Sequence, residues 1–157
     1  MTAILATVGA LFGYQAGNTQ NDAALFKNNA AIKKTEASNQ WNYYQAKSNK
    51  QNLAELAMVV PGVDVEKYKA EVARYKGEKD GIKRDAEKLE AASTGWDQQS
   101  DAAMHLHHRW AQAMTAEQIA ISLAAITLLT RKKWMQYAAY GVAGIGLMLG
   151  IAAAMHF

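Results

Sequence analysis

The chain has 157 residues, with 17 Lys and Arg against 14 Asp and Glu, a formal net charge of +3 and no Cys. Without Cys there is no disulfide framework, thiolate metal site or Cys nucleophile. The positive excess resides entirely in Arg131, Lys132 and Lys133, so the basic excess that a phosphate-binding face needs is lacking elsewhere and a nucleic-acid partner is not expected.

One Pro among abundant Ala, Lys, Glu and Gln predicts an almost wholly helical chain. Charge is confined to its middle: Lys and Arg run from Lys27 to Lys133 and Asp and Glu from Asp22 to Glu117. Both ends are therefore free of formal charge, the pattern of a membrane protein with a polar domain between its spans.

Residues 1–17 carry no charge, and nothing basic precedes Ile4 as a secretory signal would require. They predict a first transmembrane helix. It is short, so either neighbouring spans cap it or the native start lies upstream of Met1. Gly9, Gly13 and Gly17 recur at every fourth residue on one face, a spacing that lets helices approach closely in lipid. The plainer account is that Gly is common in spans.

Residues 18–59 contain neither Pro nor Gly, and the helix is expected to continue out of the membrane. Two columns repeat every seven residues. One reads Asn18, Leu25, Ile32, Asn39, Ala46 and Leu53; the other reads Asn21, Asn28, Thr35, Asn42, Asn49 and Leu56. Asn21, Asn28, Asn42 and Asn49 in such a seam would fix register and oligomer state, because each amide needs a partner amide at its own level. Alternatively the Asn column is a solvated face and the contact runs along Trp41, Tyr44 and their neighbours.

Pro61-Gly62 is the strongest breaker, predicting a turn at 60–63 with Asp64 as N-cap of the next helix. A second heptad follows through Val65, Tyr68, Val72, Tyr75, Lys79, Ile82, Ala86 and Leu89. The arms before and after the turn would each be about 65–75 Å long if fully helical, so residues 18–110 are expected to form an antiparallel, coiled-coil-like hairpin. Ser93-Thr94-Gly95 is a candidate interruption, with Trp96 and Asp97 restarting the helix.

His105, His107, His108, Arg109 and Trp110 come next. His105 and His108 share a helical face and are candidate metal ligands or proton carriers, whereas His107 points elsewhere. No Asp, Glu or Cys follows within a turn to complete a first shell, and anchoring at the headgroup level is the competing account.

Residues 111–130 predict a second span. Glu117 and Gln118 lie about two turns inside it, where an ionisable group is costly and functional by default; alternatively the span begins later and Glu117 stays at the interface. A basic turn at 131–133 leads to a third span at 134–157, which has no Asp, Glu, Lys or Arg. Its small-residue face is Gly146, Gly150 and Ala154, and Trp134, Tyr137 and Tyr140 suit an aromatic belt. Short loops rich in Arg and Lys stay cytoplasmic, which would place the hairpin in the periplasm and the basic turn on the cytoplasmic side of a bacterial inner membrane.

The decapeptide Asn39-Gln40-Trp41-Asn42-Tyr43-Tyr44-Gln45-Ala46-Lys47-Ser48, with His107-His108-Arg109 and Gln118-Ile119-Ala120 later, resembles the bacterial family known as domain of unknown function 4337. The resemblance covers essentially the whole chain, including its span, polar helical middle and two closing spans. It carries no activity and no catalytic residues. It marks Trp41, Tyr43, Tyr44, Gln45 and Lys47 as a packing or partner surface.

The expected fold is thus an all-α membrane protein of three transmembrane helices with a long extramembrane antiparallel hairpin. No nucleophile with its base, phosphate loop or paired carboxylates point to an enzyme, and no cofactor is implied. The expected function is structural. The chain would associate with copies of itself through Gly9, Gly13, Gly17, Gly146, Gly150 and the Asn seam, or join a larger membrane complex; its partners would be the bilayer and its own copies. The alternatives are an oligomeric pore and, third, a metal- or proton-handling protein built on the histidines.

Overall fold

The computed structural model describes residues 2–155, which form three α-helices and, among the described residues, no strand. Helix α1 runs Thr2–Ala57, α2 Val65–Thr130 and α3 Lys133–Ala154. The first turn follows its residue types. Val59 and Val60 donate back to Leu56 and Ala57 as α1 ends, and Gly62 takes a left-handed φ of +87°. Asp64 then caps α2, its Oδ1 accepting the Lys67 backbone N–H at 3.2 Å.

Ser93-Thr94-Gly95 does not interrupt α2, which corrects the sequence expectation. Both hydroxyls find carbonyls that leave the helix intact: Thr94 donates to Glu90 in its own helix at 3.0 Å and Ser93 to Ala30 of α1 at 2.8 Å. At the basic turn Arg131 takes a φ of +53°, rare for a residue with a side chain. Lys133 is the first residue of α3, so only Arg131 and Lys132 lie between helices.

Contacts divide the chain into two compact units, one formed by residues up to Phe26 and from Gln98 onward, the other by Lys27–Asp97. The second unit is an antiparallel pair of α1 and α2 segments. Its seam repeats every seven residues but is not the Asn column. On α1 the buried positions are Ala30, Ala37, Gln51 and Ala54; on α2 they are Val72, Ile82 and Ala86. Tyr68, Tyr75, Lys79 and Leu89 are half-buried beside these, so the second heptad lies on the packed face from Tyr68 onward, while Val65 is exposed. The columns of Asn28, Ile32, Thr35, Asn39, Asn42, Ala46, Asn49, Leu53 and Leu56 are exposed. The Ile32 column lies two residues after Ala30 and the Asn28 column two residues before it, each about 200° around the helix in its own direction, so both are on the opposite side. At Ala30 and Ala37 the reason is size, since Ala lets two helices approach closely where Asn or Leu would hold them apart; Tyr44 and Gln51 continue the same column beyond them.

The first unit packs three helices. Leu5, Ala120 and Ala143 form one core cluster, with Ile121 and Val142 against it; Ala16, Trp110 and Ala153 form another, with Phe12 and Leu106. Two helices, α2 through its apolar end and α3, are long and apolar enough to cross a membrane, and α1 is not among them. The charge-free start of α1 includes Tyr14, Gln15 and Asn18, which dilute its apolar stretch.

Candidate functional site

Small residues govern the first unit. Ala139, Ala143, Gly146, Gly150 and Ala153 are the buried face of α3; Ala153 takes the place expected for Ala154, which is exposed. A Cβ on Gly150 would strike the Phe12 ring, itself tilted against Trp110 at 5.6 Å between centroids. A Cβ on Gly13 would come within 2.8 Å of Met114 Sδ, whereas Gly17 has nothing within 4 Å. The glycines expected to join separate chains are thus largely occupied inside one chain. Gly9, Gly13, Gly146 and Gly150 make room for side chains of α1 and α2.

Glu117 lies at the centre of this packing with no exposed surface. Gly9 of α1 and Gly146 of α3 face it. A Cβ on Gly9 would reach 3.4 Å from Glu117 Cβ, and one on Gly146 would come within 2.9 Å of its Oε1 and 3.2 Å of its Cδ. Neither carboxyl oxygen has a hydrogen-bond partner. Gln118, the other polar residue noted within the second span, is exposed on another face. Sequence position alone marked Glu117; its glycine cradle depends on which helices meet there.

The backbone of α1 receives side chains from α2 at seven-residue intervals. Ser100 Oγ donates to the Ala23 carbonyl and His107 Nδ1 to the Ala16 carbonyl, each at 2.8 Å. A carbonyl only accepts, so Nδ1 of His107 carries a proton. His107 thus points away from the face of His105 and His108, as its spacing indicates, and is the histidine that touches α1. Extending the second heptad by sevens from Ala86 through Ser93 and Ser100 reaches it, and this signal was available in the sequence. His105 and His108 are exposed, and no group of three His, Asp or Glu suited to a metal ion gathers among the described residues.

In the second unit one side of the aromatic decapeptide, with Trp41, Tyr44 and Lys47, faces α2. Trp41 donates its indole N–H to Glu90 Oε1 at 2.8 Å and meets Tyr44 edge-on at 5.7 Å. Lys79 sits over the Tyr44 ring at 5.2 Å. Lys47 pairs with Glu78 at 2.5 Å and lies over Tyr43 at 5.1 Å and Tyr75 at 5.7 Å. The Glu78 carboxylate, with Tyr43 second, raises the Lys47 ammonium above its ordinary range, and Lys47 in turn lowers Glu78. Trp41, Tyr44 and Lys47 thus clamp the two arms, while Tyr43 and Gln45 are exposed. A groove of about 800 Å³ runs beside them, lined in part by Ala37, Trp41, Asn42, Gln45 and Thr94.

The family model described as Domain of unknown function (DUF4337) matches residues 1–156, and the chain belongs to that family. No curated protein and no solved structure matches it.

Proposed function

We propose that the chain is a non-enzymatic membrane protein of structural or assembly role, which associates with copies of itself through the outer face of α1. Its spans are the start of α1, residues 111–130 of α2, and α3. The charged hairpin stands on the periplasmic side of a bacterial inner membrane, with Arg131 to Lys133 in the cytoplasm.

Two features support the membrane location. Only 17% and 28% of the most apolar windows of α2 and α3 are buried, whereas the core helix of a soluble protein would be mostly buried. Leu128, Leu129, Met148 and Ile151 are instead exposed while Glu117 is enclosed, an inverted distribution that suits a lipid surround.

The observation that carries self-association is the outer face of α1 in the hairpin. Asn28, Ile32, Thr35, Asn39, Asn42, Ala46, Asn49, Leu53 and Leu56 repeat every seven residues without one charge, on a helix otherwise rich in Lys. They are exposed in the single chain, Leu53 and Leu56 at 65% each. An uncharged heptad face meets its own copy without repulsion, and spans fixed in one membrane hold the copies parallel, so each Asn meets its counterpart.

The absence of Cys makes the test clean. In membranes, Asn42→Cys and Asn49→Cys should each form a disulfide with the same residue of a second copy, while Asp85→Cys on α2 should not. Native mass spectrometry should give a discrete multiple of 17.2 kDa. A lone chain with no cross-link overturns the proposal.

A further inference from the structure

We propose that Glu117, with the glycines of α1 and α3 that enclose it, is a proton-binding site holding one proton per chain in the core of the three-helix unit. Three observations lead there, independent of self-association.

The first is enclosure without a partner. Glu117 has no exposed surface and neither of its carboxyl oxygens is hydrogen-bonded. An ionised carboxylate in such a place needs a countercharge or donors, and lacking both it is strongly disfavoured.

The second is the supply of charge around it. Residues 2–21 of α1 and 134–155 of α3 contain no Asp, Glu, Lys, Arg or His. Their titratable groups are the Tyr14, Tyr137 and Tyr140 hydroxyls, whose side chains are exposed. On α2 itself the nearest titratable side chains are Arg109 and His108, which are exposed, and His107, which is bonded to Ala16. No rearrangement of side chains within the core brings a cation to Glu117.

The third is the cradle. Gly146 leaves the carboxyl a space that a single Cβ would close to 2.9 Å from Oε1, and Gly9 and Ala116 bound the same space. A metal cation of the oxygen-seeking kind takes about six oxygen ligands or keeps its waters. The space beside the carboxyl at Gly146 is too small for one added Cβ, so a proton fits where a coordinated or hydrated ion does not.

The test uses the full chain in detergent and a hydrophobic carbodiimide, which reacts with a neutral carboxylic acid. The acid proton goes to the reagent nitrogen, the carboxyl oxygen bonds to its central carbon, and the adduct rearranges to a stable acylurea with no atom lost. Glu117 is the only acidic side chain buried among the described residues. At pH 8, peptide mass mapping should therefore find one adduct, at Glu117, with labelling lost in Glu117→Gln. Gly146→Ala, which fills the cradle, should reduce it.

The infrared spectrum of the unaltered chain gives a measurement independent of any variant. A neutral-acid carbonyl band at pH 8 that shifts in deuterium oxide is expected. Absence of that band, or labelling spread evenly over the other carboxylates, overturns the proposal.

Discussion

Replacing Gly150 by Ala adds one methyl group, and its consequence is set by what that methyl group meets. At Gly150 the new Cβ would strike three carbons of the Phe12 ring. The ring cannot simply swing aside, because Trp110 lies 5.6 Å away, centroid to centroid, and Ala16 and Ala153 fill the same cluster. Overpacking of this kind costs about 1–3 kcal/mol. Gly141 lies on the same helix with nothing within 4 Å, and there the substitution only adds helix propensity, about 1 kcal/mol in favour. Propensity is common to both variants, so the difference between them isolates the clash: Gly150→Ala should be less stable than Gly141→Ala by about 1–3 kcal/mol. Denaturant titration in detergent, followed by far-ultraviolet circular dichroism, measures both. Adding Phe12→Leu to Gly150→Ala should recover part of the loss, whereas adding it to Gly141→Ala should not. Equal stability of Gly141→Ala and Gly150→Ala would refute the packing of α3 on α1.

Two further outcomes follow from the hairpin seam. Ser100→Ala removes a buried hydroxyl donor to Ala23 and should cost about 0.5–1.5 kcal/mol in the same titration, while Thr115→Ala, whose hydroxyl bonds within its own exposed turn, should cost less. The Lys47–Glu78 pair should give a stability difference between the native chain and Lys47→Met that depends on pH. Glu78 is lowered, so its contribution is present above the ordinary carboxylate range and lost as pH falls through its folded value. Lys47 is raised, so its contribution is present below the ordinary lysine range and lost as pH rises through its folded value. Thermal melting from acid to alkaline pH should therefore show a plateau between these ranges, diminished by salt; a pH-independent difference would remove the pair from the stability of the hairpin.

Much of the architecture was legible in the sequence because its signals are local. Pro61-Gly62, Asp64 and the absence of Pro and Gly from residues 18–59 place a turn between two long helices, and Val72, Ile82 and Ala86 mark the packed face of α2 through their apolar spacing. The packed face of α1 was legible only in part: the alternative contact along Trp41 and Tyr44 lies on it, with Tyr44 seven residues beyond Ala37, but its Ala positions were not marked. Two faces of α1 repeat every seven residues, and the one carrying Leu25, Ile32 and Leu53 has the stronger apolar signal, yet burial follows the one carrying Ala16, Ala23, Ala30 and Ala37. Hydropathy ranks side chains by transfer energy, whereas close packing of two helices selects them by size. The same limit applies to Glu117. Its position in an apolar run marked it as unusual, but that Gly9 and Gly146 enclose it is a property of three helices, and no window of one helix contains it.

The choice of Ala, Gly and Ser in the seams has a further consequence for a protein placed in lipid. A seam of large apolar residues draws its stability from leaving water, and that driving force is absent among lipid tails. Close approach of small residues and hydrogen bonds to backbone carbonyls retain their value in either medium. In the first unit Ala16 and Ala23 lie in the seam while His107 and Ser100 donate to their carbonyls; in the second, Ala30 receives Ser93 and Ala37 is buried with Ala86. Each unit thus holds α1 to α2 by contacts that do not require water on the outside, and under the proposed membrane location α1 would pass from an apolar to an aqueous surround without changing the residue types of its packed face. The large apolar residues of α1 that remain, Leu25, Ile32, Leu53 and Leu56, are all exposed. For the last three, in a charged hairpin, burial against a second copy is the interaction in which their size would add stability.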